Sequence, residues 1–418
     1  MLILGKPQVL INRAPRGFGP LAEAETLAAL AQAREANKFG WKVSRDPSHQ
    51  PDDVVVSDLG YRAMVELSLR LRCSRDLFWL VRKLRAGSLG DVVRVMNKIN
   101  WTDILPTGTQ CAVQANSVQS LVYNENLIKR VAGEELTKLG YVVTEKESAA
   151  QTIDLSLFHN QLSVSLSLPG RPLRYRGYKK EFVATASIRE DLAACITEKA
   201  LQFSRRQETV DPSLVYVPFA GSGTLGFEAV LALRNIPLFP LRQNFAALDF
   251  LCTPATTRGS LTRTLLQGVS KSPITLEMLD IEPDQAQACQ QNTAHFTRQV
   301  NSCGAVVAGD SRCDDFFKAS APSGESESLF APLNPPYGNR IGGDANAMYK
   351  KIGDTLARFH GTISGYCLAP SQDSAELFLK HLKPKASELY EIDHGGSTVS
   401  VANFTATPRI TGRSGHPM

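Results

Sequence analysis

Residues 213–235 read SLVYVPF, AGSGTLG and FEAVLALRN in succession. A β-branched and aromatic run, a turn holding three glycines and an apolar run without a breaker predict a strand, a tight loop and a helix. Gly221 and Gly223 let the backbone approach a ligand closely, and the free N–H groups of the following helix face it. A strand feeding a helix in this way buries both faces only if further units of the same kind follow. They do. From about residue 181 the chain continues with helix SIREDLAACITEKALQF before this unit, then strand ITLEMLDIE, helix PDQAQACQQNTAHFTRQV, short strand AVVAGD and strand SLFAPLNPPYG. Helix NAMYKKIGDTLARFH, strand GTISGYCLA, helix AELFLKHL and late strands ASELYEI and VANFTAT complete it. The expectation is an α/β domain with a doubly wound, mainly parallel sheet that binds ligands beyond the carboxyl ends of its strands. GSGT, Asp280, Asp310 and NPPY all fall there.

The literal match of GSGTLG to a dinucleotide fingerprint is weak by itself. No Gly-Lys-Ser/Thr follows, which counts against an ATP or GTP phosphate loop. Asp280 closes the next clear strand and suits the hydroxyls of a ribose, but it lies far beyond the roughly 20 residues at which a dinucleotide fold places its acid. Asp310, at the end of AVVAGD, is placed to accept from an adenine amino group or to serve as a plain turn residue. In LNPPYG, Asn334 and the carbonyl of Pro335 form a rigid pair of acceptors, since prolines fix φ and donate nothing. An exocyclic base amine has two N–H groups and a lone pair delocalised into its ring, so such a clamp would align it and return electron density to nitrogen. Tyr337 adds a face on which a base can stack.

The first 180 residues carry 25 Lys and Arg against 17 Asp and Glu, and the remainder 21 against 24. RPLRYRGYKK (171–180) has five basic residues and no acid, and nine basic residues lie between Arg62 and Lys98. Such clusters are either solvated faces or phosphate-contacting surfaces. The eight cysteines form no C-x-x-C pair, so neither a disulfide framework nor a metal site is expected. No apolar run approaches the roughly 20 residues that span a bilayer, and the first residues do not form a signal peptide, so the expected location is cytosolic, away from membranes. The local patterns in this half predict a small α+β region. DLFWLVRKLRAG reads as an amphipathic helix, and TIDLSLFHN with QLSVSLSL as a hairpin across Asn160-Gln161.

Strand-GSGT-helix, Asp280, Asp310 and Asn334-Pro335-Pro336-Tyr337, in that order, resemble class I S-adenosylmethionine-dependent methyltransferases acting on base amines. From about residue 97 the chain more closely resembles the THUMP-containing RNA guanine-N2 methyltransferases, typified by the bacterial 23S rRNA enzymes. NKINWTDIL, the exit SLPGRPLRYRGYKK, SIREDLAACI, NPPYGNRIG, AMYKKIGDTLARF and SELYEI…VANFTAT carry that likeness. It implies an N-terminal α+β, ferredoxin-like ancillary region over 1–96, a THUMP RNA-binding domain over 97–180 and a Rossmann-like class I methyltransferase domain over 181–418. It implies S-adenosylmethionine held by Ser187, Phe219, Gly221, Ser222, Gly223, Thr224, Asp280, Ile281 and Asp310. It also implies catalysis by Asn334, Pro335, Pro336 and Tyr337, and RNA contacts from Arg171, Arg174, Arg176, Lys179 and Lys180. The implied partner is RNA, rRNA before tRNA, with the oligomeric state open. The chain departs from the family pattern at Val217, where an Asp usually precedes the loop, at Pro332, which would shorten the strand before the motif, and in its first 40 residues. Val217 leaves open an RNA-binding protein with a degenerate methyltransferase domain.

Overall fold

The computed structural model describes residues 4–33, 36–45, 50–146, 148–180, 188–242, 244–319, 328–336, 344–359 and 361–407. They form two units, Met1–Gly177 with Pro237–Gly268, and Tyr178–Ile236 with Val269–Met418. Among the described residues no helix is long and apolar enough to cross a membrane.

The first unit begins with β1 (Gln8–Arg13), α1 (Gly19–Gln32), β2 (Lys42–Ser44), β3 (Asp53–Leu59), α2 (Tyr61–Arg70) and β4 (Asp76–Arg85). There follow α3 (Leu89–Asn97), β5 (Gln110–Val118), α4 (Glu125–Lys138), β6 (Val142–Val143), β7 (Gln151–Phe158) and β8 (Gln161–Ser167). All eight strands share one sheet in the order β2-β3-β1-β4-β8-β7-β5-β6. β4 joins the two halves, pairing antiparallel with β1 on one edge and β8 on the other. This corrects the helix expected over DLFWLVRKLRAG. Leu77, Phe78 and Trp79 are consecutive and all buried, as in a central strand covered on both faces rather than a helix with one apolar stripe. The β7–β8 turn is His159-Asn160, one residue earlier than expected, with φ of 47° and 61° as a two-residue hairpin loop requires.

The chain enters the second unit through α5 (Glu190–Arg206), β9 (Leu214–Val217) and α6 (Thr224–Leu233), and returns to the first through α7 (Leu238–Leu241) and α8 (Thr257–Leu266). It then completes the second with β10 (Ile274–Asp280), α9 (Pro283–Ser302), β11 (Val307–Cys313), β12 (Ser328–Leu333), α10 (Ala345–Leu356), β13 (Thr362–Ala369), α11 (Gln372–Leu382), β14 (Ala386–His394) and β15 (Ser397–Ala406). Buried Arg242 fixes the returning segment. Its guanidinium donates to the carbonyls of Pro169 (2.9 Å), Arg171 (2.8 Å) and Pro172 (2.9 Å), which no single apolar side chain could satisfy.

The second unit's sheet runs β11-β10-β9-β12-β13-β15-β14, parallel from β11 to β13, with β15 antiparallel to both β13 and β14. Starting from β9, the chain builds outward through β10 and β11, then crosses to β12 on the other edge of β9. The reversal puts a topological switch point at the carboxyl ends of β9 and β12. Pro332 does not shorten β12, which pairs with β13 as far as Leu333↔Cys367. The pairing of β12 with β9 ends at Phe330, two residues before the proline that has no N–H to offer.

Candidate active site

A cavity of about 650 Å³ opens at this switch point. Its floor is the loop from Pro218 to Gly223, between β9 and α6. Gly223 holds φ at +94°, and a Cβ there would lie 2.5 Å from Cζ of Phe227. Gly221, at φ +53°, would bring a Cβ no closer than 3.9 Å to its nearest neighbour, Gln285 Oε1. Gly226 has a packing role, because a Cβ would come within 2.8 Å of Met278 Sδ and 2.9 Å of Leu276 Cδ1, so its absence lets α6 lie directly on β10. Thr224 opens α6 and lines the cavity, and its buried Oγ1 has no hydrogen-bond partner among the described residues.

Asp280 ends β10 and closes the loop from the other side. Its Oδ2 accepts from Gly221 N at 2.7 Å and its Oδ1 from Glu282 N at 3.0 Å. Each carboxylate oxygen keeps a further lone pair for an outside donor. Ile281 beside it is 61% exposed, an apolar side chain held at the rim. Phe219 and Phe316, whose rings meet edge to face at 5.3 Å, form an aromatic wall that continues to Phe317.

Five carboxylates line the cavity: Asp280, Glu282, Asp284, Asp314 and Asp315. No Lys or Arg among the described residues does. Such a site favours a ligand that carries positive charge and opposes a pyrophosphate. Asp310 is not in the lining. β11 continues past it to Cys313, and the register Glu277↔Asp310 with Asp280↔Cys313 leaves it three residues short of the strand end. Its side chain is 67% exposed and leans toward Arg312 at 3.7 Å. β11 is the sheet edge, so a polar stretch extends the strand where sequence reading ends it. Asp314 and Asp315 thereby occupy the loop at the cavity. Ile188 and Met348, also in the lining, carried no sequence signal.

Asn334 follows β12 directly and lines the same cavity with Pro336. Its Oδ1 is buried and has no donor among the described residues, and Pro335 beside it is buried. Gly221, Ser222, Thr224, Phe219, Asp280, Ile281 and Asn334 are thus gathered at one cavity, with Gly223 in its floor loop. Ser187 and Tyr337 lie outside the described residues. Val217 is fully buried and faces Gly226, beneath the loop.

The basic stretch 171–180 divides by burial. Arg171, Arg174 and Lys180 are exposed, with the Arg174 guanidinium 4.9 Å from the Tyr175 ring centroid. Arg176 is 1% exposed and donates to the Arg72 carbonyl at 2.8 Å. The Lys179 ammonium, 3% exposed, pairs with Glu190 at 2.8 Å. Nothing in the spacing of these five residues separates the buried pair from the exposed three.

Residues 176–399 match the family model described as RMKL-like, methyltransferase domain. The Bacillus subtilis (strain 168) protein named "Putative RNA methyltransferase YpsC" is 23% identical over 389 residues, covering 89% of this chain and 90% of its own. The "Ribosomal RNA large subunit methyltransferase K/L" of Allochromatium vinosum is 22% identical over 416 residues, 96% of this chain but 52% of that protein, so the chain spans about half its length. In structure, the chain is similar to "SMU.472, a putative methyltransferase complexed with SAH", with a TM-score of 0.71, 18% identity and 97% of this chain against 100% of that one.

Proposed function

The chain belongs to the RMKL-like methyltransferase domain family, and from that membership we propose that it uses S-adenosyl-L-methionine to methylate an exocyclic base amine in RNA, guanine N2 of 23S rRNA by preference. One observation carries the reading. The buried Asn334 Oδ1 has no donor among the described residues, at a cavity whose other wall is an acidic, glycine-floored ligand site. An orphaned buried acceptor costs about 1–3 kcal/mol, and the prolines beside it offer no backbone donor. A base amine answers both needs, one N–H reaching Asn334 Oδ1 and the other the Pro335 carbonyl.

The described residues fit the cofactor. Thr224 Oγ1, without a hydrogen-bond partner among the described residues, would be a polar atom for its carboxylate, Gly221 leaves room for close approach, and Asp280 has free lone pairs for two ribose hydroxyls. Ile281 and Phe316 give the adenine apolar faces, and Asp314, rather than Asp310, is the carboxylate within the lining that could accept from its amino group. The five carboxylates suit a ligand with sulfonium and ammonium charges. When bound, that cofactor supplies an electrophilic methyl group. The chain's own work is to position. Asn334 and Pro335 draw electron density onto the amine nitrogen and fix its direction. Residues 97–180 serve as a THUMP RNA-binding region with 1–96 as its ancillary part, and exposed Arg171, Arg174 and Lys180 each contact phosphate.

Purified protein given cofactor and RNA from a strain lacking it should incorporate methyl groups as N2-methylguanosine, and Asn334→Ala should lose that activity about 10²–10³-fold. Equal activity of variant and wild type would sink the proposal. A product in tRNA alone would move the substrate to the alternative, a tRNA guanine. Calorimetry with the cofactor tests the reading raised by Val217: tight RNA binding without cofactor binding would make the chain a binding protein.

A further inference from the structure

We infer that the tip of the first unit's sheet around Tyr123 is a stacking contact for an unpaired nucleotide, resting on the proposal that the substrate is RNA. Four strand ends meet there: the carboxyl ends of β4, β5 and β7 and the start of β8. The loops between them are laced into one piece. Leu121 N donates to Asn160 Oδ1 at 2.8 Å, Asn160 N to Ser120 Oγ at 2.9 Å, and Ala86 N to the Asn160 carbonyl at 2.8 Å. Ser117 reaches across, its Oγ to the Val122 carbonyl at 2.7 Å and its N to Glu125 Oε1 at 3.1 Å. Three residues other than glycine, Gln119, His159 and Asn160, sit at positive φ within it. Backbone held in that region costs energy and persists where the surroundings fix it, so this tip is rigid.

What it presents is unusual for a solvated loop. Tyr123 is 80% exposed and Leu121 71%, with His159 exposed beside them. Leu121 lies over Gly87, where a Cβ would meet its Cδ1 at 3.6 Å. Two residues before Gly87, β4 ends in the exposed cations Arg82, Lys83 and Arg85, and none of the three has an ion-pair partner among the described residues. An exposed aromatic side chain on this bonded loop, at the same end of the sheet as cations without an ion-pair partner among the described residues, matches the two needs of single-stranded nucleic acid, a face for a base and charge for the backbone. A duplex keeps its bases stacked and would use only the cations.

The test uses the full chain with a labelled 12-nucleotide single-stranded RNA and a 12-base-pair RNA duplex as probes, read by fluorescence anisotropy. Tyr123→Ala should weaken single-strand binding about tenfold, within the range for loss of one stacked base, while Tyr123→Phe stays within about twofold. Neither should change duplex binding. Replacing Arg82, Lys83 and Arg85 by Ala should weaken both probes and lower the single-strand salt slope by about 2. Equal single-strand affinity of wild type and Tyr123→Ala overturns the inference, as does an equal loss on both probes. If RNA affinity is unchanged and the variant instead abolishes self-association in sedimentation, the tip belongs to a second copy and the inference falls. Wild type that binds neither RNA defeats the RNA proposal as well. Retained RNA binding by an inactive Asn334→Ala protein concerns only the catalytic assignment.

Discussion

Gly223→Ala separates a glycine that the fold requires from one that the ligand requires. An alanine would have to hold φ at +94°, which costs a residue with a Cβ roughly 1–2 kcal/mol. The new methyl would also stand 2.5 Å from Cζ and 2.7 Å from Cε2 of Phe227. That ring cannot swing aside. It is fully buried, with Phe296 at 4.5 Å and Tyr178 at 5.2 Å between ring centroids. Overpacking of this kind adds about 1–3 kcal/mol, giving a loss of about 2–5 kcal/mol from the second unit. Gly221→Ala carries the same backbone cost, at φ +53°, but its Cβ meets nothing closer than Gln285 Oε1 at 3.9 Å. It should lose only about 1–2 kcal/mol of stability and show its larger effect in cofactor affinity. Urea unfolding followed by a probe in the second unit, with calorimetry of S-adenosylmethionine binding on the same proteins, measures both. If Gly223→Ala unfolds within about 0.5 kcal/mol of wild type, the surrounding aromatic packing is softer than argued and the reasoning fails.

Other outcomes follow from single contacts. Asn334→Ala should unfold no earlier than wild type in thermal melts, because its Oδ1 has no bond to lose among the described residues, and a marked drop in stability would mean that its acceptor is satisfied. Burial raises the Asp76 carboxyl to about 6, against hydrogen bonds from Leu77 N and Ser167 Oγ. An acid whose folded pKa is raised takes up a proton on folding between about pH 4 and 6, so stability declines as pH climbs through that window. Asp76→Asn should therefore gain up to about 2–3 kcal/mol at pH 7 and nothing near pH 4 in denaturant titrations, and a loss at pH 7 would contradict this. Lys179→Met should destabilise the protein by removing the 2.8 Å ion pair of its buried ammonium with Glu190, with RNA affinity intact, whereas Arg174→Ala should lower RNA affinity and spare stability. The reverse pattern in binding and melting assays would return Lys179 to the RNA surface.

The second unit was legible because each motif sits on a local signal. Glycines mark the loop after β9, Asp280 closes an apolar strand, and two prolines mark the end of β12. What escaped reading depends on distant neighbours. DLFWLVRKLR is β4 because β1 and β8 flank it, and no window of ten residues contains that fact. Asp310 lost its place because β11, as an edge strand, keeps pairing through Ser311 and Arg312 where composition gave no reason to continue. Arg176 and Lys179 look like any surface cation until the Arg72 carbonyl and Glu190 are seen against them. Segment 237–268, sparse in pattern, acquires its role from carbonyls some 70 residues earlier.

That last arrangement has a consequence for how the protein is made. The carbonyls of Pro169, Arg171 and Pro172 leave the ribosome well before Arg242, the donor that satisfies them, and α5, β9 and α6 are synthesised in between. The first unit is incomplete while only residues 1–177 have emerged, because 237–268 also belong to it, so the nascent chain begins the second unit before finishing the first. Translation and folding are interleaved, and a gene cut after residue 180 would encode a sheet waiting for a guanidinium that never arrives.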